Sequence, residues 1–271
     1  MLADYLAIGH ITRDIFNGVV TTGGCVYYAA ITVQKLGLSV AIVTSYSDDF
    51  EFPEEIRTSK ITTLKSDRTT TFVNEYGPKD GFTRRRQIVA ATADNISMDD
   101  IPISWRSIPL VHFGPLVNEL GPDVVKGFPN SFKIASIQGW TRKWDSDGNV
   151  SNFEWDGSDI LPYVDVAVCS KEDINSIDDL ERWRNMVPML IVTDGPKGAR
   201  LFFEGNRIDI GAIKAKEVDP TGAGDVFAAS FIVKYRETLD YEDAARFASL
   251  IAGMSVEGYG ASMVPSRDII W

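Results

Sequence analysis

Histidine and cysteine are scarce, with two of each in 271 residues. His10 and His112 lie far apart, as do Cys25 and Cys169, so no spacing of the kind that holds zinc occurs and no disulfide framework follows. Each cysteine sits in an apolar stretch, Cys-Val-Tyr-Tyr-Ala-Ala or Val-Ala-Val-Cys, and both read as buried thiols of a reducing compartment. The two histidines read as packed polar residues on strands. No run approaches the roughly 20 apolar residues of a membrane helix. The segment 1–9 is too short and too poor in basic residues for a signal peptide, so a cytoplasmic protein without membrane association is expected. Positive charge is also short: 27 Lys and Arg against 38 Asp and Glu leave a formal charge of -11. The resulting field repels nucleic acid and anionic lipid. A phosphate site here must therefore rest on local devices such as backbone amides. Neither a Gly-x-x-x-x-Gly-Lys-Ser/Thr loop nor a Gly-x-Gly-x-x-Gly turn after the first strand occurs, which excludes two common nucleotide folds.

What is present is an alternation of short apolar runs with helical patterns, the signature of parallel strands joined by helices. Leu6–Gly9, Val40–Val43, Leu110–Phe113, Ile134–Ile137, Val164–Val168 and Leu190–Thr193 read as buried strands. Ala29, Ala30, Val33 and Leu36 recur at helical spacing, with Gly37 as a stop. Glu204-Gly205-Asn206 marks a hairpin, and the last third is mostly helical, from Gly224 to about Arg236 and from Tyr241 to about Gly253. Between Lys60 and Ala91 the pattern turns to threonines and alternating polar residues, as in a sheet with one wet face. The expected organisation is an α/β core over 1–11, 23–59 and 92–271, with a small β lid over 12–22 and 60–91.

The sharpest motif is Asp219-Pro220-Thr221-Gly222-Ala223-Gly224-Asp225, running directly into the apolar Val226-Phe227-Ala228-Ala229-Ser230-Phe231. A helix N-terminus exposes unpaired N–H groups and positive dipole, and glycines let a phosphate approach them. The amides of Gly222, Ala223 and Gly224 thus form a candidate anion hole. Asp225, in the first turn, can take the proton of an incoming hydroxyl beside it. The structural alternative is that Asp219 and Asp225 merely cap the helix.

With this motif the sequence resembles the ribokinase, or PfkB, family of carbohydrate kinases, whose Asp-x-x-Gly-Ala-Gly-Asp signature carries a catalytic aspartate. The resemblance runs from about Leu6 to Pro265. It implies a ribokinase-like three-layer α/β/α sandwich with a small β-sheet lid, and ATP with Mg²⁺ as cofactors. It also implies roles for further residues. Asp14, after Ile8-Gly9-His10-Ile11-Thr12-Arg13, matches the aspartate that holds substrate hydroxyls. Gly23-Gly24 matches a glycine pair whose backbone approaches the substrate, and Tyr28 replaces the asparagine usual nearby. Asp173, in Ser170-Lys171-Glu172-Asp173, stands where an acidic residue organises Mg²⁺ and phosphate through water. Thr193, Gly195 and Gly198 match the strand and glycine turn beside the nucleotide, with Thr221. Ala252 and Ser255 fall where the family closes over the adenine and where many members bind a monovalent cation, a further candidate here.

Three details resemble the myo-inositol kinase branch: Gly23-Gly24-Cys25-Val26-Tyr27-Tyr28-Ala29-Ala30, Arg84-Arg85-Arg86 in the lid segment, and Gln138-Gly139-Trp140-Thr141-Arg142. Arg84 and Arg142 are accordingly candidates to meet substrate or the transferred phosphate. The stretch from Asp14 to Gly23 leaves little room for a lid hairpin. The resulting expectation is a kinase acting on a sugar or polyol, with myo-inositol as the first candidate, as a monomer or homodimer. A nucleoside or hexose kinase of the same family is the alternative substrate class, and a non-catalytic nucleotide- or sugar-binding sensor the alternative outside enzymes.

Overall fold

The computed structural model describes residues 2–76 and 85–270. Its strands and helices, in chain order, are β1 (Tyr5–Ile8), β2 (Thr12–Phe16), β3 (Val19–Gly23), α1 (Cys25–Lys35), β4 (Val40–Tyr46), β5 (Lys60–Lys65), β6 (Thr71–Tyr76), β7 (Arg85–Ala91) and β8 (Leu110–Phe113). They continue with α2 (Pro122–Lys126), β9 (Phe132–Ser136), β10 (Arg142–Trp144), β11 (Val150–Asn152), β12 (Val166–Ser170), α3 (Ile177–Arg184), β13 (Met189–Thr193), β14 (Ala199–Phe203) and β15 (Asn206–Ile210). Three helices close the chain: α4 (Ala223–Thr238), α5 (Tyr241–Ser255) and the short α6 (Arg267–Ile270).

Nine strands form one sheet in the order β15-β14-β13-β12-β9-β8-β1-β4-β5. It is parallel from β5 to β13, and β14 and β15 pair antiparallel at one edge. Strand alternation sends Tyr5 and Ala7 to one face and Leu6 and Ile8 to the other. The first face packs with Ile42, Ile134 and Ile191 against α1, α4 and α5 through Ala29, Val33, Phe231 and Ala248. The second packs with Val111, Ala135 and Leu190 against Val124, Leu180 and Trp183. Burial on both faces makes the strands continuous apolar runs, and the product is the three-layer sandwich.

β1 lies between β4 and β8, so consecutive crossovers leave it in opposite directions, and a crevice opens at the carboxyl ends of the strands. Over that end lies a second sheet of four strands, β3-β2-β6-β7. Two differences from the sequence reading concern it. β2 and β3 do form a hairpin within the short stretch, because Asn17 and Gly18 adopt φ of 50° and 77° and close a tight two-residue turn. β5 belongs to the large sheet, paired in parallel with β4, and not to the lid. As the edge strand it is half-exposed, which gave it the same alternating pattern as the lid strands. Among the described residues, no helix is long and apolar enough to cross a membrane.

Candidate active site

The loop 219–222 and the first turn of α4 sit at the crevice. Asp219 closes the loop: its Oδ1 accepts from the Thr221 amide at 3.0 Å and its Oδ2 from the Gly260 amide at 2.9 Å. Gly222 caps the helix at φ 78°, a left-handed conformation that a side chain disfavours, and a Cβ there would collide with the Tyr28 ring. Tyr28 is thus a buried floor under the loop, and burial, with Asp14, Asp219 and Asp225 nearby, pushes its phenol well up. The Ala223 amide turns back to Pro220 O at 3.2 Å, which leaves the Gly222 and Gly224 amides as the better-disposed members of the expected anion hole. Gly224 is exposed, and a Cβ there would meet open space.

Asp225 keeps an accessible face toward the crevice although protein surrounds it. Its pKa is raised to about 6, first by burial; a hydrogen bond from Cys25 and the charge of Arg142 act in the opposite sense, and Asp173 and Asp14 add to the rise. The fold has gathered several distant groups around one carboxylate: Cys25 from α1, Arg142 from β10, Asp173 after β12 and Asp14 from the lid. These residues are spread over more than 200 positions of sequence, from 14 to 225.

Asp14 lies in β2, accepts from Thr12 Oγ1 at 2.9 Å and sets its carboxylate against the Gly23 backbone, where a Cβ would collide with it. Gly24 caps α1 at φ 97°, and a Cβ there would lie 2.6 Å from His10 O. The loop beside Gly24 is fixed by Glu119, which is fully buried and accepts from the amides of His10 at 3.1 Å, Leu116 at 2.9 Å and Val117 at 2.8 Å. Arg142 donates from Nη1 to Gln87 Oε1 at 2.9 Å, and Gln87 donates to Asn74 Oδ1 at 3.1 Å, so the lid strands β6 and β7 are tied to the core arginine. Asn74 and Gln87 were missed in the sequence because nothing in the local pattern distinguishes them from other wet-face residues.

Asp173 is buried and its carboxylate accepts from the Ser170 amide at 2.8 Å, completing a capping box with Ser170. It therefore has a structural job as well as its place beside Arg142. Its pKa is raised by burial, against the charge of Arg142. Arg84 lies outside the described residues. Its neighbour Arg86 points away from the crevice, donating to Asn149 at 2.9 Å and pairing with Glu75 at 3.1 Å.

On the far side of Gly224 is a cavity of about 160 Å³. Thr193, Gly195, Gly198, Ala223, Gly224 and Ala252 line it, as do Ile213, Phe227, Gly253 and Val256, which the sequence reading did not name. Ser255 and Thr221 are not among its walls. Ser255, the last residue of α5, is buried and donates its hydroxyl back to Ala252 O at 2.8 Å. The cavity is mostly apolar, and Ala223 and Gly224 of the expected anion hole are among its walls.

Residues 141–267 match the profile of the pfkB family carbohydrate kinases, a span holding Arg142, Asp173, the 219–225 loop and the cavity walls. The inositol 3-kinase of Arabidopsis thaliana is 27% identical over 273 residues, covering 94% of this chain and 74% of that protein. The segment 141–267 carries a pfkB family carbohydrate kinase domain. The protein is a phosphotransferase with an alcohol group as acceptor. Two solved structures share the fold of this pfkB kinase nearly end to end. A pyrophosphate-dependent kinase of the ribokinase family, complexed with a pyrophosphate analogue and myo-inositol, superposes with a TM-score of 0.81 at 22% identity, covering 97% of both chains. Arabidopsis thaliana ribokinase with ribose and ATP gives 0.77 at 19%, covering 99% of this chain and 97% of that one.

Proposed function

We propose that this pfkB kinase transfers the γ-phosphoryl group of ATP to a hydroxyl of a cyclic polyol, with myo-inositol as the acceptor. The observation that carries the reading is the position of Asp225, between the cavity beyond Gly224 on one side and Asp14 on the other. Asp14, held by Thr12 over Gly23, orients the acceptor hydroxyls from the lid. Asp225 takes the proton as the oxygen attacks, and a base of pKa near 6 is mostly ionised at neutral pH yet still basic enough to serve. The amides at the start of α4 and the helix dipole face the phosphoryl oxygens. Arg142 offsets the negative charge of Asp14, Asp173 and Asp225. Asp173 is the residue that would help to hold Mg²⁺ brought in with the donor, and the ion would supply charge neutralisation.

Two donors have to be weighed, since one structural relative is pyrophosphate-dependent and another was solved with ATP. The apolar cavity lined by Ile213, Phe227 and Ala252 favours ATP, because pyrophosphate has nothing to place there. The test is phosphoryl transfer from ATP and, separately, from pyrophosphate, with a panel of polyols, sugars and nucleosides. ATP-dependent phosphorylation of myo-inositol above the rest is the expected result. Turnover confined to pyrophosphate would reject the donor, a nucleoside as the best acceptor would reject the substrate class, and ligand-induced thermal shifts without any turnover would favour a sensor.

A further inference from the structure

We propose that Lys35 is a positioning residue for phosphoryl transfer: it anchors the strap 257–264, which in turn clamps the loop leading into α4. The inference rests on reading that loop, 219–225, as the phosphoryl site. Lys35 is half-buried in the last turn of α1, the end at which a cation meets the helix dipole favourably. Its ammonium, with three hydrogens to give and no lone pair to offer, crosses to the strap between α5 and α6. There it donates to Val264 O at 2.7 Å, with Ala261 O at 3.5 Å. The strap is folded by tight turns, from the Ser262 amide to Tyr259 O and from the Val264 amide to Ala261 O, each at 3.3 Å. Val264 is buried in the core shared by α1, α4 and α5.

The strap grips the loop through backbone atoms. One residue before Ala261, the Gly260 amide donates to Asp219 Oδ2 at 2.9 Å, while Asp219 Oδ1 accepts from the Thr221 amide at 3.0 Å. Gly260 adopts φ of 56°, which glycine takes without strain. Just upstream, Val256 O accepts from the amides of Val218 at 2.8 Å and Asp219 at 3.1 Å, and Glu257 Oε1 accepts from the Lys216 amide at 2.9 Å. The stretch 211–222 has no strand or helix of its own, so these bonds set where it enters α4 and where the Gly222 and Gly224 amides lie. Such amides act on a phosphoryl group only when held close to the productive geometry. Lys35 fixes the strap beyond Gly260, and every link from its ammonium to Thr221 is a hydrogen bond or a single step along the chain. A second cation at the same corner, Arg267 of α6, lies past the strap: it donates to Leu36 O at 3.5 Å and pairs with Glu237 at 3.0 Å. The two cations therefore separate control of the strap from simple anchoring of the chain end. The other end of α1 begins beside Gly24, on the acceptor side. A disturbance of the whole helix would reach the acceptor, whereas a disturbance of the strap reaches the donor.

The experiment is steady-state kinetics of wild type, Lys35→Met, Arg267→Met and Gly224→Ala, varying ATP and then myo-inositol or the panel's fastest acceptor. Lys35→Met keeps the apolar stem and removes the ammonium. Its kcat/KM for ATP falls about tenfold or more, the size of one hydrogen bond from a charged group, while KM for the acceptor stays within about twofold. Arg267→Met stays within about twofold in both. An unchanged kcat/KM for ATP in Lys35→Met, a rise in acceptor KM as large as the donor-side loss, or an equal donor-side loss in Arg267→Met overturns the proposal. Gly224→Ala separates its failure from that of the site: unweakened donor binding in this variant rejects the loop as the phosphoryl site, whereas a donor weakened by Gly224→Ala but not by Lys35→Met rejects only the role of Lys35. Should Lys35→Met fail to fold, Lys35→Gln replaces it, neutral and shorter, and the same donor and acceptor readings decide.

Discussion

Replacing Asp225, the proposed base, should make this kinase more stable, and by an amount that depends on pH. Asp225 has an ordinary carboxylate pKa of 3.8 when unfolded and about 6 when folded, with burial the main cause. A rise of about two units, at roughly 1.4 kcal/mol each, disfavours the charged form in the fold by about 3 kcal/mol at most. The open face toward the crevice returns part of this to solvation, so about 1 to 3 kcal/mol is expected. The sign follows from protonation. Below about pH 4 the carboxyl is neutral in both states and the strain is absent; as pH rises through 6 the folded protein must accept the charge and loses that stability. Asp225→Asn keeps the shape and an oxygen for the Cys25 thiol but never ionises. Its melting temperature should match wild type near pH 4 and exceed it by about 3 to 8 °C at pH 8, at the 2 to 4 °C per kcal/mol of a chain this size. Thermal unfolding of both proteins at several pH values measures this. An Asn variant that melts below wild type at pH 8, or whose advantage does not change with pH, would refute the reasoning.

Three further outcomes follow from named contacts. Gly224→Ala should leave the melting temperature within about 1 °C of wild type, since a Cβ there meets open space and suits a helix, while weakening the donor at least about tenfold by intruding beside the phosphates; nucleotide titration and melting together check it. Asp14→Ala should raise KM for the acceptor far more than for ATP, and equal increases in steady-state assays would remove it from acceptor binding. Glu119→Ala should cost about 3 kcal/mol or more in denaturant unfolding, because the amides of His10, Leu116 and Val117 lose a buried carboxylate together.

Much of this was legible in the sequence for one physical reason. Parallel strands buried on both faces are written as unbroken apolar runs, so β1, β4, β8, β9, β12 and β13 announced themselves. The loop proposed to bind the phosphoryl group was legible because seven consecutive residues, Asp219 to Asp225, share a conformation that depends on local backbone geometry. Where the reading strayed, exposure on one side was the cause. β5 and the lid strands each have a wet face, so their alternation is alike, and only pairing distinguishes Lys60–Lys65 at the edge of the large sheet from Thr71–Tyr76 in the lid. The Asn17-Gly18 turn carried its own local signal, a dipeptide that favours positive φ at both positions, and shows how short a hairpin connection can be. The buried cluster of Tyr5, His112, Ser136 and Cys25 had no such signal: its members come from three strands and one helix, and each alone is an ordinary buried polar residue.

The central claim is that one carboxylate at the head of α4 accepts the proton of the attacking hydroxyl while neighbouring amides hold the phosphoryl group. Single-turnover phosphoryl transfer by Asp225→Asn, with ATP affinity measured on the same preparation, tests it most directly. A fall of about 10² or more in the transfer rate with ATP affinity within a few-fold of wild type is the predicted result. Transfer at a near-normal rate, or loss of ATP binding large enough to account for the whole decline, would contradict it.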